Sequence, residues 1–287
     1  MGGTDGASGA ALVLGGGGPV GGAWLTGVLA GLAEAGVDLD RADVVIGTSA
    51  GAIFGSRLLG GETPVEMYER QLTGADRINI NSGFSTTLRF LWAALGSRDP
   101  DRSVRRLGRA ALATRSGPES EVFDVLRPLL RGAADWPAGG KLRVTAVDAV
   151  TGEVNAFDAE SGLTLLDAVA ASCAVPMVWP PITAAGRRWI DGGTRSTGNL
   201  HLARGYERVL AVTPIPSAVG PHPDARRQAA DLTAEGVAVT LVTPDAAARR
   251  AMGRDMTADA RRPDAARAGH TQGAAVAGAM TGVWPGR

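Results

Sequence analysis

Asp43-Val44-Val45-Ile46-Gly47-Thr48-Ser49-Ala50-Gly51 decides how this chain is read. A short apolar run ending in Gly-x-Ser-x-Gly is a strand that delivers a serine into a sharp turn, and the residues from Ala50 to Leu59 predict the helix that follows. Glycine two before and two after the serine leaves the room such a turn needs. The helix start would aim free amides and its positive dipole end at the serine oxygen. Ser49 is therefore the candidate nucleophile. In a chain with 41 glycines the pentapeptide also arises by chance, so its surroundings carry the argument.

Upstream, the strand-like Ala11-Leu12-Val13-Leu14 runs into Gly15-Gly16-Gly17-Gly18-Pro19-Val20-Gly21-Gly22, and a helix is predicted over Ala23 to Ala35. Two strand-glycine-helix units thus stand back to back. Backbone amides in a glycine loop at a helix start stabilise an anion, either a phosphate or the oxyanion of acyl transfer. Gly16, Gly18 and Gly21 fit a dinucleotide fingerprint, which also requires a carboxylate near the end of the next strand. That strand ends in Ile46-Gly47-Thr48-Ser49, so a nicotinamide or flavin dinucleotide is disfavoured. A P-loop is excluded because no Gly-Lys-Ser/Thr follows the glycines. Downstream, Trp189-Ile190-Asp191-Gly192-Gly193 ends an apolar approach in an aspartate and two glycines. A carboxylate held against a serine hydroxyl in a partly dry pocket can take its proton, although Asp-Gly-Gly alone reads as a turn.

In this order, the three motifs resemble the patatin-like phospholipase family, whose hallmarks are an oxyanion glycine loop, a G-x-S-x-G elbow and a D-G-A/G aspartate. The likeness extends over Ala171-Ser172-Cys173-Ala174-Val175-Pro176, Pro180-Pro181-Ile182, Gly186 and the segment Gly205 to Pro214. It implies Ser49 as nucleophile, Asp191 as its base, Gly16, Gly17 and Gly18 as the oxyanion loop, and Gly21, Gly47, Gly51, Gly192 and Gly193 as motif positions. It implies a lipid or other acyl-ester substrate and no metal or cofactor. Two departures stand out. Val20 occupies the place where many members carry a loop arginine, and Leu200 follows Asn199 where many have proline, which reads as loop variation.

A conventional triad would need a histidine after the aspartate, and the chain offers His201, His222 and His270. His222 lies between two prolines, His201 opens a predicted surface helix, and His270 sits among small residues as the best placed of the three. The dyad reading expects all three to be dispensable. It also expects Asp191, facing only a serine and backbone donors, to stay ionised well below neutral pH.

Composition frames these readings. The 287 residues carry a formal net charge of zero, and of 29 basic side chains only Lys141 is lysine. Without a basic excess, nucleic-acid binding is not expected. The single Cys173 cannot form an internal disulfide and reads as a small buried side chain in a reducing, cytoplasmic setting. Met1 to Ala10 reads as a disordered tail without the basic residues of a signal peptide. The uncharged stretch Gly6 to Ala33 is broken by its glycines and Pro19, and Thr271 to Gly286 by small residues, so neither is expected to span a membrane. Transient contact with a membrane surface remains an expectation.

Strands are predicted at 11–14, 43–47, 142–148, 153–158, 187–190, 208–213 and 237–242, interleaved with helices. Such alternation implies one α/β domain over 11–287, a three-layer fold with a mostly parallel central sheet and helices on both faces. Residues 62–135 predict a helical cover. Within it Phe84, Leu88, Leu91, Trp92 and Leu95 share one helical face, either a lipid-facing lid or an ordinary core contact. The expected activity is serine acyl hydrolysis of lipid esters. The alternatives are acyl transfer or thioester cleavage with the same dyad, or a silent lipid-binding protein.

Overall fold

The computed structural model describes residues 9–77, 97–131, 133, 135–280 and 283–285; the Phe84 to Leu95 stripe lies outside them. In chain order the elements are β1 (Ala10–Leu14), α1 (Gly18–Glu34), β2 (Val44–Gly47), α2 (Ala50–Leu59), α3 (Pro64–Thr73), α4 (Pro100–Ala113) and α5 (Glu119–Leu129). They continue with β3 (Leu142–Asp148), β4 (Val154–Phe157), α6 (Leu165–Cys173), β5 (Ile182–Ala184), β6 (Arg187–Asp191), β7 (Arg208–Val212), α7 (Ala225–Ala234), β8 (Ala238–Val242), α8 (Ala246–Met252) and α9 (Arg262–Val276).

One eight-stranded sheet runs in the order β5-β6-β3-β2-β1-β7-β8, with β4 on β3. β8, β7, β1, β2 and β3 are mutually parallel, whereas β4 and β6 pair antiparallel with β3, and β5 with β6. Successive side chains on a strand face opposite ways. Leu12 and Leu14 accordingly enter the larger core with α1 and α2, while Ala11 and Val13 enter a second core with Leu232 of α7. Both faces are therefore covered, as the unbroken apolar strands predict.

β5 escaped the sequence reading: three residues directly after Pro180-Pro181 are too short to show a period. α1 begins at Gly18, five residues before the predicted start. The glycines suggested loop, yet Pro19 in the first turn suits a helix start, where its missing N–H costs nothing. β1 already begins at Ala10, inside the stretch read as tail.

α1 is buried along nearly its whole length and packs backbone to backbone on α9. A Cβ on Gly27 or Gly31 would strike the α9 main chain at Ala266 and His270, and one on Gly269 or Gly273 the α1 main chain at Trp24 and Val28. The small residues near the C-terminus thus serve close helix contact. No described helix is long and apolar enough to cross a membrane.

Candidate active site

β2 ends at Gly47 and α2 begins at Ala50, so the chain turns within two residues, and Ser49 takes φ 51° and ψ −116°. A non-glycine residue holds such angles only where its surroundings impose them, at a cost of about 1–3 kcal/mol. Here Gly51 lies so close to the Leu14 carbonyl that no side chain fits, and a Cβ on Gly47 would meet Ala52 Cα at 2.5 Å. Serine at a helix N-cap ordinarily accepts a bond from the first turn. Ser49 makes no such bond. Its own amide donates to Ser172 Oγ at 2.8 Å, which fixes the main chain from α6 and leaves the hydroxyl uncommitted to capping.

The sheet brings Asp191 to this point. β4 occupies one edge of β3 over Val144–Val147, so β2 and β6 must share the other edge: β2 along 142–144 and β6 along 146–148. The two strands meet end to end, Gly47 opposite Val144 and Asp191 opposite Ala146. Asp191 is 6% exposed, its amide donates to Ala174 O at 2.9 Å, and its Oδ1 accepts from Gly193 N at 2.6 Å. Burial pushes its carboxyl up to about 7, against the opposing pull of the Gly193 amide and the Ser49 hydroxyl. The expectation of a carboxylate ionised well below neutrality is therefore wrong. Two donors do not offset the desolvation of a charge this deep.

A polar knot holds the two strand ends. Thr48 Oγ1 and Thr145 Oγ1 lie 2.8 Å apart, and Asn199 Nδ2 donates to Thr48 Oγ1 at 3.0 Å, Thr145 Oγ1 at 3.3 Å and Gly192 O at 3.2 Å. Asn199 itself sits in the left-handed region, its amide bonded to Ser196 Oγ at 2.9 Å. This residue ties the elbow to the Asp-Gly-Gly turn. Thr48, Thr145, Ser172 and Asn199 were all missed as site residues. Thr48 and Ser172 lay inside quoted motifs and Asn199 beside a noted departure, but none was given a role.

The glycine loop splits in two. Gly15 N donates to Val212 O at 2.9 Å and Gly16 N to Thr197 O at 2.8 Å, so the Gly16 amide is spent on the fold and is not free for an oxyanion, contrary to expectation. Among the described residues no acceptor takes the amides of Gly17 or Gly18. Val20 is buried in the larger core and its amide bonds Met256 O at 3.0 Å, so the site of the usual loop arginine is a packing position here. Ser49 opens onto two cavities. One, of about 480 Å³ and mostly apolar, is lined by Gly16, Gly17, Gly18, Asp191 and Gly193 together with Ile215 and Val219. The other, of about 90 Å³ and likewise mostly apolar, lies between α2 and α5.

A model of the family described as Patatin-like phospholipase matches residues 12–204, more than half of the chain. The chain belongs to that family. Membership supports lipid acyl hydrolase activity in general. VipD from Legionella pneumophila is 12% identical with a TM-score of 0.48, the match covering 95% of this chain and 67% of that one. The type III effector protein ExoU is 16% identical with a TM-score of 0.44, covering 94% of this chain and 53% of the effector. No curated protein sequence matches.

In this patatin-like chain no histidine lines either cavity at Ser49. His270 Nε2 lies 2.7 Å from Glu34 Oε2 and its ring stacks on Tyr68, an α9–α1–α3 contact. His201 pairs with Gln228 in a short 3-10 turn, not at the start of a surface helix, and burial lowers its pKa. His222 is buried and pushed down to about 4, chiefly by desolvation and then by Arg195. Cys173 is half-buried, packed against the larger core and on the wall of the apolar cavity; burial and the Asp191 charge push its thiol far up, so it stays protonated.

Proposed function

We propose that this protein is a serine acyl hydrolase acting on lipid esters through Ser49 and Asp191. The observation that carries the reading is the uncapped, strained Ser49 hydroxyl, which faces the buried Asp191 carboxylate at the junction of two cavities. The deprotonated Asp191 takes the hydroxyl proton as Ser49 Oγ attacks the acyl carbonyl. The amides of Gly17 and Gly18, lacking protein acceptors, hold the developing oxyanion, assisted by the N-terminus of α1. Asp191 then gives its proton to the departing alcohol. Water, deprotonated by the same carboxylate, releases the acid and restores the serine.

A fluorophosphonate probe should label the wild type at Ser49, with loss of p-nitrophenyl butyrate hydrolysis, while Ser49→Ala should neither react nor hydrolyse. Labelling elsewhere, or full activity in Ser49→Ala, would overturn the assignment.

A further inference from the structure

The chain as a whole is neutral, with 29 basic and 29 acidic side chains, yet residues 102–109 carry four arginines and no acid. In α4 these are Arg102, Arg105, Arg106 and Arg109, spaced i, i+3, i+4 and i+7, which puts them on one helical face. The opposite face is buried through Ser103, Val104, Leu107, Gly108 and Ala111. Gly108 lies so close to the Ala149 carbonyl that no side chain fits there, so the turn after β3 packs directly on the helix. Val150 of that turn therefore stands beside the arginine row. The four arginines, Val150 and Ser97 line an open cleft of about 460 Å³. Val150 and Leu112, three residues past Arg109, are the only exposed large apolar side chains among the described residues, at 63% and 38%.

Little counter-charge reaches this cleft. Asp99 accepts from the Arg102 amide at 3.0 Å as the cap of α4 and approaches Arg102 Nε only to 3.7 Å. Asp101 pairs with Arg195 at 3.1 Å, and Glu153 accepts from the Thr151 hydroxyl at 3.2 Å. Among the described residues no carboxylate pairs with Arg105 or Arg109. Like charges three and four residues apart disfavour a helix, so the row does nothing for α4 itself. Ser97 Oγ accepts from the Asp99 amide at 3.1 Å, which leaves its own proton to donate.

We infer that this cleft is a second, non-catalytic site that takes a phosphate group. Guanidinium forks match phosphate oxygens two at a time, and a phosphomonoester brings close to two negative charges to meet them. Along the helix Arg102 and Arg109 stand about 10 Å apart, which leaves room for more than one such group. The phosphate can arrive on a soluble ester or on the headgroup of an anionic phospholipid, and the exposed Val150 and Leu112 suit the second source. On the buried face Leu107 packs in one cluster with Met177 and Val219, and Val219 also lines the larger cavity at Ser49. A bound headgroup would thus sit one helix away from that cavity. Phosphate binding here requires no activity at Ser49.

The test has two arms. Pyrophosphate is titrated into the protein at constant ionic strength and read as a rise in Tm. Co-sedimentation is measured with ether-linked vesicles, which an esterase cannot cleave, made of phosphatidylcholine alone or with a minor fraction of phosphatidic acid. Saturable binding is expected in at least one arm. Arg105→Gln/Arg109→Gln, at two exposed positions, should keep the fold and weaken vesicle binding about thirtyfold, or about fivefold per arginine, and pyrophosphate binding about tenfold. Arg226→Glu, exposed on α7 and equal in its change of net charge, should stay within about threefold of wild type. Pyrophosphate binding alone assigns the cleft to a soluble phosphate ester, vesicle binding alone to a lipid headgroup, and binding in both arms shows that the phosphate suffices. No saturable binding in either arm, binding unchanged in Arg105→Gln/Arg109→Gln, or an equal loss in Arg226→Glu would overturn the site.

Discussion

Asp191→Asn should make the protein inactive and, at alkaline pH, more stable. An unfolded aspartate titrates near 3.8 and Asp191 in the fold near 7. Between those values the folded state holds a proton that the unfolded state has lost, so stability falls as pH rises, and the cost is complete above about 7. At 1.36 kcal/mol per pKa unit the full difference is about 4 kcal/mol, of which about 3 kcal/mol develops between pH 5 and pH 8. Asparagine retains an oxygen for the Gly193 amide and carries no charge to desolvate. Its extra N–H₂ needs acceptors and offsets about 1–3 kcal/mol, at both pH values alike.

The quantity to measure is therefore the Tm difference between Asp191→Asn and wild type at pH 8 minus that at pH 5. About 3 kcal/mol corresponds to roughly 6–12 °C in a chain of this size. A difference that does not change with pH would refute the buried-proton argument. The same group sets the wild-type rate profile: kcat/KM should climb about tenfold per pH unit below about 7 and level off above it. Loss of activity of at least a hundredfold at pH 8, together with the gain in Tm, identifies a base kept at the expense of stability. Stabilisation with full activity would leave Asp191 buried but without a catalytic role.

Other substitutions probe the same geometry. Ser49→Gly should be more stable than Ser49→Ala by about 1 kcal/mol in urea unfolding, because glycine relieves the positive φ at a small entropic cost. Gly17→Ala would place a Cβ 2.6 Å from Pro214 Cβ, so it should lower turnover about a hundredfold and also cost about 1–3 kcal/mol of stability. His270→Ala should keep most of its activity in the ester assay and lose no more than about 1–2 kcal/mol from the Glu34 and Tyr68 contacts. Asn199→Ala should lower kcat more than it raises KM and destabilise by about 2–3 kcal/mol, since it unties three hydrogen bonds and puts alanine at φ 49°.

Most strands were legible because each carries a short run of apolar, often β-branched residues, as in Val44-Val45-Ile46 and Val209-Leu210-Ala211-Val212. The helix start at Gly18 was not, since a glycine run carries no helical period and only Pro19 hinted at a first turn. Ser49 and Asp191 were singled out from small-residue motifs, which report how tightly neighbours approach, and the fold brings the two to one cavity. The charge state of Asp191 was misjudged for a related reason: local donors are visible in the sequence, whereas the depth of burial depends on the whole fold. For the loop glycines, sequence cannot tell which amides are spent, because the acceptor for Gly16 is Thr197, far along the chain.

What no local pattern supplies is the meeting of the two strand ends. Thr145 is the single β3 residue between the stretch paired with β2 and the stretch paired with β6. Its hydroxyl lies 2.8 Å from that of Thr48, one residue before Ser49, and Gly192, one residue after Asp191, packs directly against it. In the strand Leu142–Asp148 a threonine at this place shows only as a break in an apolar run, easily read as noise. Its polarity has a purpose once Asn199 arrives from a distant turn to bridge it to Gly192. A buried hydroxyl with partners on both sides fixes the spacing of the serine and the carboxylate more tightly than an apolar side chain could, because hydrogen bonds are directional and costly to leave unmade.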